Sequence, residues 1–183
     1  MSASNPIDQH NRDQFLNELK TYLACQSVST DPAFRNGMDA ARVFLTGLLN
    51  EIGFSNIQEL DGGVGGHNAL YGEWLEKPGK PTLLVYGHYD VQPPDPLDLW
   101  NSPPFEPVIQ NTEKHPEGAI FARGACDDKG QMYMHVKALE YMTSNNELPC
   151  NVKFMIEGEE EVGSANLGKF VAANREKLAN DVI

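Results

Sequence analysis

Thr82-Leu83-Leu84-Val85-Tyr86 is a continuous run of strand length, and Gly87-His88-Tyr89-Asp90 follows it directly. Such a run suits a strand buried on both faces, as in a sheet covered by helices. It is far too short to span a membrane. His88 and Asp90 then stand at the strand's carboxyl end, where open α/β sheets carry their sites.

The flanking sequence supports that reading. Phe15, Leu16, Leu19, Tyr22 and Leu23 recur at helical spacing and predict a helix over 11–24. Ala41, Phe44, Leu45, Leu48, Leu49 and Ile52 do the same over 38–52, and Gly53 supplies a stop. Both helices are expected on one side of the sheet. Further strands are expected at 56–60, 68–75, 119–122 and 151–157, with helices at 127–144 and 165–178. Residues 91–107, rich in proline and aspartate, read as an ordered loop. Asp181-Val182-Ile183 reads as the start of another strand. Helices alternating with apolar strands predict a three-layer α/β sandwich around a mostly parallel, mixed sheet. No linker or repeat divides the chain, so 1–183 reads as one domain, or part of one.

Composition narrows the function. A net charge of −12 argues against a nucleic-acid surface, which would be basic. Residues 1–11 show no cationic stretch followed by an apolar core, so no secretory signal is expected. Three cysteines, Cys25, Cys126 and Cys150, without Cys-x-x-Cys spacing, fit free thiols in a reducing cytoplasm. The expected setting is a cytoplasmic enzyme of bacterial type, with no membrane partner.

Three stretches carry chemistry: Tyr-Gly-His-Tyr-Asp-Val-Gln-Pro at 86–93, Arg-Gly-Ala-Cys-Asp-Asp-Lys-Gly at 123–130, and Glu-Gly-Glu-Glu-Glu-Val-Gly-Ser at 157–164. Residues two apart on an extended segment share a side, so Asp90 is placed to accept a hydrogen bond from one ring nitrogen of His88. That leaves the other nitrogen for a metal. Taken alone, the pair reads better as a strand-end histidine capped by an aspartate, because a lone His-x-Asp is not specific. Asp127-Asp128 reads alone as helix capping. Its functional alternative is a carboxylate, Asp127, that bridges two cations. Glu159-Glu160-Glu161 reads alone as a solvated charge run. It follows an apolar strand, however, where adjacent glutamates divide labour between metal binding and general base. Glu159 is expected to be the solvated neighbour. One imidazole and several carboxylates at three such places supply most of a two-metal hydrolytic centre.

Together these motifs resemble the co-catalytic metallopeptidase family of carnosine and other dipeptidases, glutamate carboxypeptidase, acetylornithine deacetylase and succinyl-diaminopimelate desuccinylase. The resemblance runs from about Leu19 to the end. It implies two divalent metal ions, zinc first and manganese or cobalt as alternatives. It implies that His88 is a terminal ligand of one ion, Asp127 the bridge, Glu161 a terminal ligand of the other, Glu160 the general base and Asp90 the acid that orients His88. It also implies a cis peptide between Asp127 and Asp128. Val91-Gln92-Pro93, with Trp100 and Pro104-Phe105, looks most like the dipeptidase branch. The implied substrate is a small peptide; an N-acyl amino acid, cleaved by a deacylase of the same family, is the alternative.

The family pattern also includes a further acidic ligand, a late histidine ligand and an inserted lid that mediates homodimerisation. These are not matched here. The expectation is therefore an amino-terminal part of the catalytic domain, inactive alone, with a non-catalytic metal-binding module as the rival. Other candidates are weaker. Gly62-Gly63-Val64-Gly65-Gly66 lacks the Gly-Lys-Ser/Thr ending of a phosphate loop and reads as a flexible turn. Cys126 reads as a small neighbour of the site. Arg123 and Lys129 are possible partners for the acids. His67, His115 and His135 have no matched role.

Overall fold

The computed structural model describes residues 9–63 and 65–183. The first eight residues, where the sequence shows no export signal, and Val64 of the glycine run lie outside the described residues. In chain order the elements are α1 (Gln9–Leu23), α2 (Arg35–Glu51), β1 (Ser55–Leu60), β2 (Ala69–Trp74), β3 (Thr82–His88), β4 (Val108–Gln110), β5 (Ala119–Phe121), α3 (Lys129–Ser144), β6 (Asn151–Glu157) and α4 (Leu167–Ala173).

The central sheet has the order β1-β2-β6-β3. Every residue of β6 is buried, as expected of a strand covered on both faces. Side-chain alternation divides the core. Leu70, Val85, Phe154 and Ile156 face Tyr22 of α1, Leu45 and Leu49 of α2, and Met132 and Val136 of α3. Ala69, Tyr71, Leu84 and Met155 face the other way, toward Phe170 of α4 and Leu178. Three layers follow from period two in the strands and period 3.6 in the helices. Each large apolar side chain buried this way contributes roughly 1.5–3 kcal/mol.

The sheet is mixed. β3 and β6 pair in parallel from Thr82↔Asn151 to His88↔Glu157, whereas β1–β2 and β2–β6 are antiparallel. Parallel pairing is thus scarcer than helix–strand alternation predicts. The reason is local: β1 turns back into β2 through the glycine-rich loop with no helix between them. The parallel crossover from β3 to β6 carries α3. On the far side of β3, Val182 forms an isolated parallel bridge to Leu83, so the carboxyl-terminal residues do begin to pair.

Two elements differ from expectation. The last helix is shorter than 165–178, because the chain leaves α4 in turns that carry Leu178 back into the second core cluster. The segment after the 91–107 loop adds β4, which pairs antiparallel with β5 in a separate two-stranded sheet. β4 has only three residues and a weak pattern, so its strand character comes from its partner.

Candidate metal centre

The parallel register of β3 and β6 brings two of the three motifs to one edge of the sheet. His88 ends β3 opposite Glu157, the last residue of β6, and the 3-10 turn Glu160–Val162 follows. The third motif precedes α3. Its peptide Asp127–Asp128 is cis, as the resemblance implies.

His88 is buried and held at both ring nitrogens. Nδ1 lies 3.1 Å from the Asp90 carbonyl oxygen and 3.3 Å from Asp90 Oδ1. Nε2 lies 3.1 Å from Asp127 Oδ1 and 3.9 Å from Glu160 Oε2. Ligand atoms of His88, Glu160 and Glu161 all fall within 4.8 Å of one another. Asp127 approaches the same Nε2 from the opposite motif and is largely exposed, its side chain 74% accessible. One imidazole face therefore meets carboxylates from two motifs.

Asp90 is fully buried and collects donors. Its oxygens accept the Ser29 hydroxyl at 2.7 Å, the Glu161 amide at 3.1 Å and the Glu160 amide at 3.3 Å. One carboxylate thereby fastens the histidine to the turn that presents both glutamates. Glu161 is held further by Gln92, whose side-chain amide donates to its carboxylate at 2.7 Å and to its carbonyl at 3.0 Å. The sequence offered no signal for Ser29, and Gln92 was legible only as part of a dipeptidase-like stretch.

The electrostatics favour a cation. Burial pushes the His88 imidazole down, but the hydrogen bond and charge of Asp90, with the charge of Asp128, outweigh it and raise the group to about 9. Among these acids the ring holds a proton that it would shed in water. An imidazole facing several carboxylates is also a donor set that zinc, manganese and cobalt accept. The residues present fit a divalent ion.

Four neighbours differ from the sequence reading. Glu159 is not a solvated acid. It is buried, and it accepts the His67 amide at 3.0 Å and the Asn166 side-chain amide at 3.1 Å and 3.2 Å. Its strand-end position beside the glycine loop overrides the exposure expected of a charge run. Lys129 turns away from the acids: fully buried, it donates to the Tyr22 and Cys25 carbonyls at the end of α1. Arg123 stacks over Trp100 and donates to the Pro93 carbonyl at 3.2 Å. Asp128 takes the N-cap position of α3, yet its side chain makes no capping bond. Its carboxylate accepts the His88 amide at 3.2 Å instead.

The end of β3 tolerates no added volume. Tyr89 is buried between the two site residues; its hydroxyl donates to the Asn68 carbonyl at 2.7 Å and meets Arg42 at 3.1 Å. A methyl group at Gly158 would overlap the Tyr89 phenol. The Gly158→Ala variant is expected to lose about 1–3 kcal/mol of stability by overpacking. Thermal or urea unfolding measures it, and an unchanged midpoint would contradict this packing.

The model of peptidase family M20/M25/M40 matches residues 84–182, which is more than half of the chain and contains all three motifs. The chain belongs to this family. Relatives agree. The Cys-Gly metallodipeptidase dug1 of Schizosaccharomyces pombe is 30% identical over 177 residues, covering 91% of this chain and 36% of that protein. The Beta-Ala-His dipeptidase of Homo sapiens is 30% identical over 188 residues, covering 96% of this chain and 36% of that protein. Among solved structures, the di-peptidase Dug1p of Saccharomyces cerevisiae superposes with a TM-score of 0.84 at 27% identity, covering 93% of this chain and 38% of that one. The M20 metallo-carboxypeptidase Sso-CP2 of Sulfolobus solfataricus gives 0.80 at 34% identity, covering 97% and 37%. This M20 chain thus spans little more than a third of the length of these relatives.

Proposed function

We propose that these 183 residues form the amino-terminal part of the catalytic domain of a metal-dependent peptidase that hydrolyses the amide bond of dipeptides. The observation that carries it is the convergence of His88, Glu160 and Glu161 within 4.8 Å, with Asp127 against the same imidazole nitrogen. The names of the relatives favour dipeptides over N-acyl amino acids.

In this reading His88 and Glu161 would each hold one divalent ion, and Asp127 would be the ligand shared between them. Two divalent ions, zinc first and manganese or cobalt as alternatives, supply Lewis acidity to the scissile carbonyl and the attacking water when bound. Glu160 takes the proton from that water and returns it to the leaving amine. Asp90 keeps Nδ1 of His88 engaged, so that Nε2 faces the ions. The reading includes a cytoplasmic location and a homodimer built through a lid outside these residues. Among the described residues no helix is long and apolar enough to cross a membrane.

The test is a substrate panel with metal analysis. The purified chain, as it stands and extended by the coding sequence that follows it, is loaded with zinc, manganese or cobalt. It is then assayed on Cys-Gly, β-Ala-His and N-acetyl amino acids. The expected result is metal bound by both forms, with chelator-sensitive dipeptide turnover in the extended form and little in the short one. Preference for N-acetyl amino acids would replace the dipeptidase with a deacylase. Failure of either form to bind metal would remove the reading altogether.

A further inference from the structure

Three features that the proposed chemistry leaves unused meet in one place: His67, the glycine run before it, and Glu159. His67 Nε2 lies 3.0 Å from the Ser29 carbonyl oxygen, and the His67 amide donates to Glu159 Oε1 at 3.0 Å. Ser29 in turn donates its hydroxyl to Asp90 Oδ2 at 2.7 Å. The Glu160 and Glu161 amides reach the same Asp90 carboxylate. The bonds close into a ring that runs Asp90, Ser29, His67, Glu159, then through the chain to Glu160 and Glu161, and back to Asp90.

The geometry points to Ser29 and His67 as positioning residues for the metal centre, acting through Asp90. The inference rests on the metal-centre reading above. Two segments hold Asp90: the stretch Ser27–Ser29, whose Val28 forms an isolated bridge to Val91, and the turn that carries the two glutamates. Ser27 fixes the first segment, since its hydroxyl donates to the Tyr89 carbonyl at 2.6 Å and its own carbonyl accepts the Val91 amide at 2.9 Å. His67 bridges the two segments, with its ring on one and its backbone on the other. Without it the two segments lose this cross-link and are joined through Asp90 with less restraint.

The glycines explain how a backbone amide gets close enough to do this. A side chain at Gly66 would meet Glu159 Oε1 at 2.7 Å and the Asn166 amide nitrogen at 2.9 Å, and one at Gly62 would strike the His67 carbonyl. Gly62 and Gly66 thus pack closely against His67 and Glu159 with no room for a Cβ. Ser29 and His67 reach the site through Asp90 and Glu159, so their influence on the ions is indirect. Groups that orient a ligand in this way commonly alter metal affinity by about 10–100-fold when removed.

The experiment measures zinc affinity of the 183-residue chain by competition with a chromophoric chelator, beside thermal melting of the metal-free protein. Ser29→Ala and His67→Ala are each expected to weaken zinc binding by about tenfold, with melting temperatures close to wild type. Ser29→Thr, which keeps the hydroxyl, is expected to restore affinity to within about threefold. Wild-type zinc affinity in both alanine variants would overturn the inference and leave the metal centre standing. So would weakened binding that tracks a lowered melting temperature and is not rescued by threonine, since that marks a merely structural role. A wild-type chain that binds none of zinc, manganese or cobalt would overturn the metal centre, and this inference with it.

Discussion

Replacing Glu160 with glutamine is expected to lower peptide turnover of the extended enzyme by about a hundred- to ten-thousand-fold, while bound metal stays at the wild-type level. Distance alone does not separate the two glutamates, since both reach into the cluster around His88. Their restraints do. Glu161 is gripped by the Gln92 side chain at its carboxylate and its carbonyl, which fixes the direction of its free lone pairs. Glu160 is anchored through its backbone to Asp90, while its carboxylate lies 3.9 Å from the imidazole and is 46% accessible. A proton shuttle must face the attacking water first and the leaving amine afterwards, so the freer carboxylate suits it. Glutamine keeps the shape and the anchoring amide and removes only the basicity. The complementary variant, Glu161→Gln, is expected to lose metal first and activity as a consequence. Elemental analysis beside initial rates distinguishes the two. Full activity in Glu160→Gln, or loss of metal from it, would exchange the roles.

What the sequence disclosed follows a physical pattern. Long periodic segments were legible: the helices around Leu45 and Met132 and the strands at 82–88 and 151–157 bury faces that their own spacing defines. His88, Asp90 and the glutamate pair were legible because each sits at the end of such a strand, and parallel register then brings those ends together. Elements that depend on distant partners were not. β4 exists because β5 pairs with it. The sheet's antiparallel half depends on the turn between β1 and β2. Lys129 stands beside two aspartates in sequence, yet the first turn of α3 aims it at the carbonyls that end α1. Glu159 read as the solvated neighbour of Glu160 and Glu161, and only the fold buries its carboxylate. Ser29 lies 61 positions from the carboxylate it touches, a relation no local pattern encodes.

The Asp90→Asn variant is expected to weaken zinc binding by about 10–100-fold and to destabilise the metal-free chain by about 1–3 kcal/mol. Asp90 is fully buried, and its two oxygens face only donors: the His88 ring, the Ser29 hydroxyl and the Glu160 and Glu161 amides. An asparagine side chain keeps one acceptor oxygen and replaces the other with an amide that donates. Whichever way it turns, an N–H group meets another donor. If the amide nitrogen faces Ser29, the hydroxyl can reverse and accept, which makes this the cheaper orientation. Even so, the donor capacity around the residue exceeds what one carbonyl oxygen satisfies, and a buried donor left unpaired carries its full desolvation cost. The ring nitrogen of His88 then loses its negative partner, so the imidazole is a weaker ligand and less firmly oriented. In a domain of this size 1 kcal/mol corresponds to about 2–4 °C in melting temperature. Calorimetry of the metal-free protein and chelator competition read the two effects separately. An Asp90→Asn chain that melts like wild type and binds zinc as tightly would show that neither the histidine nor the glutamate turn depends on this carboxylate.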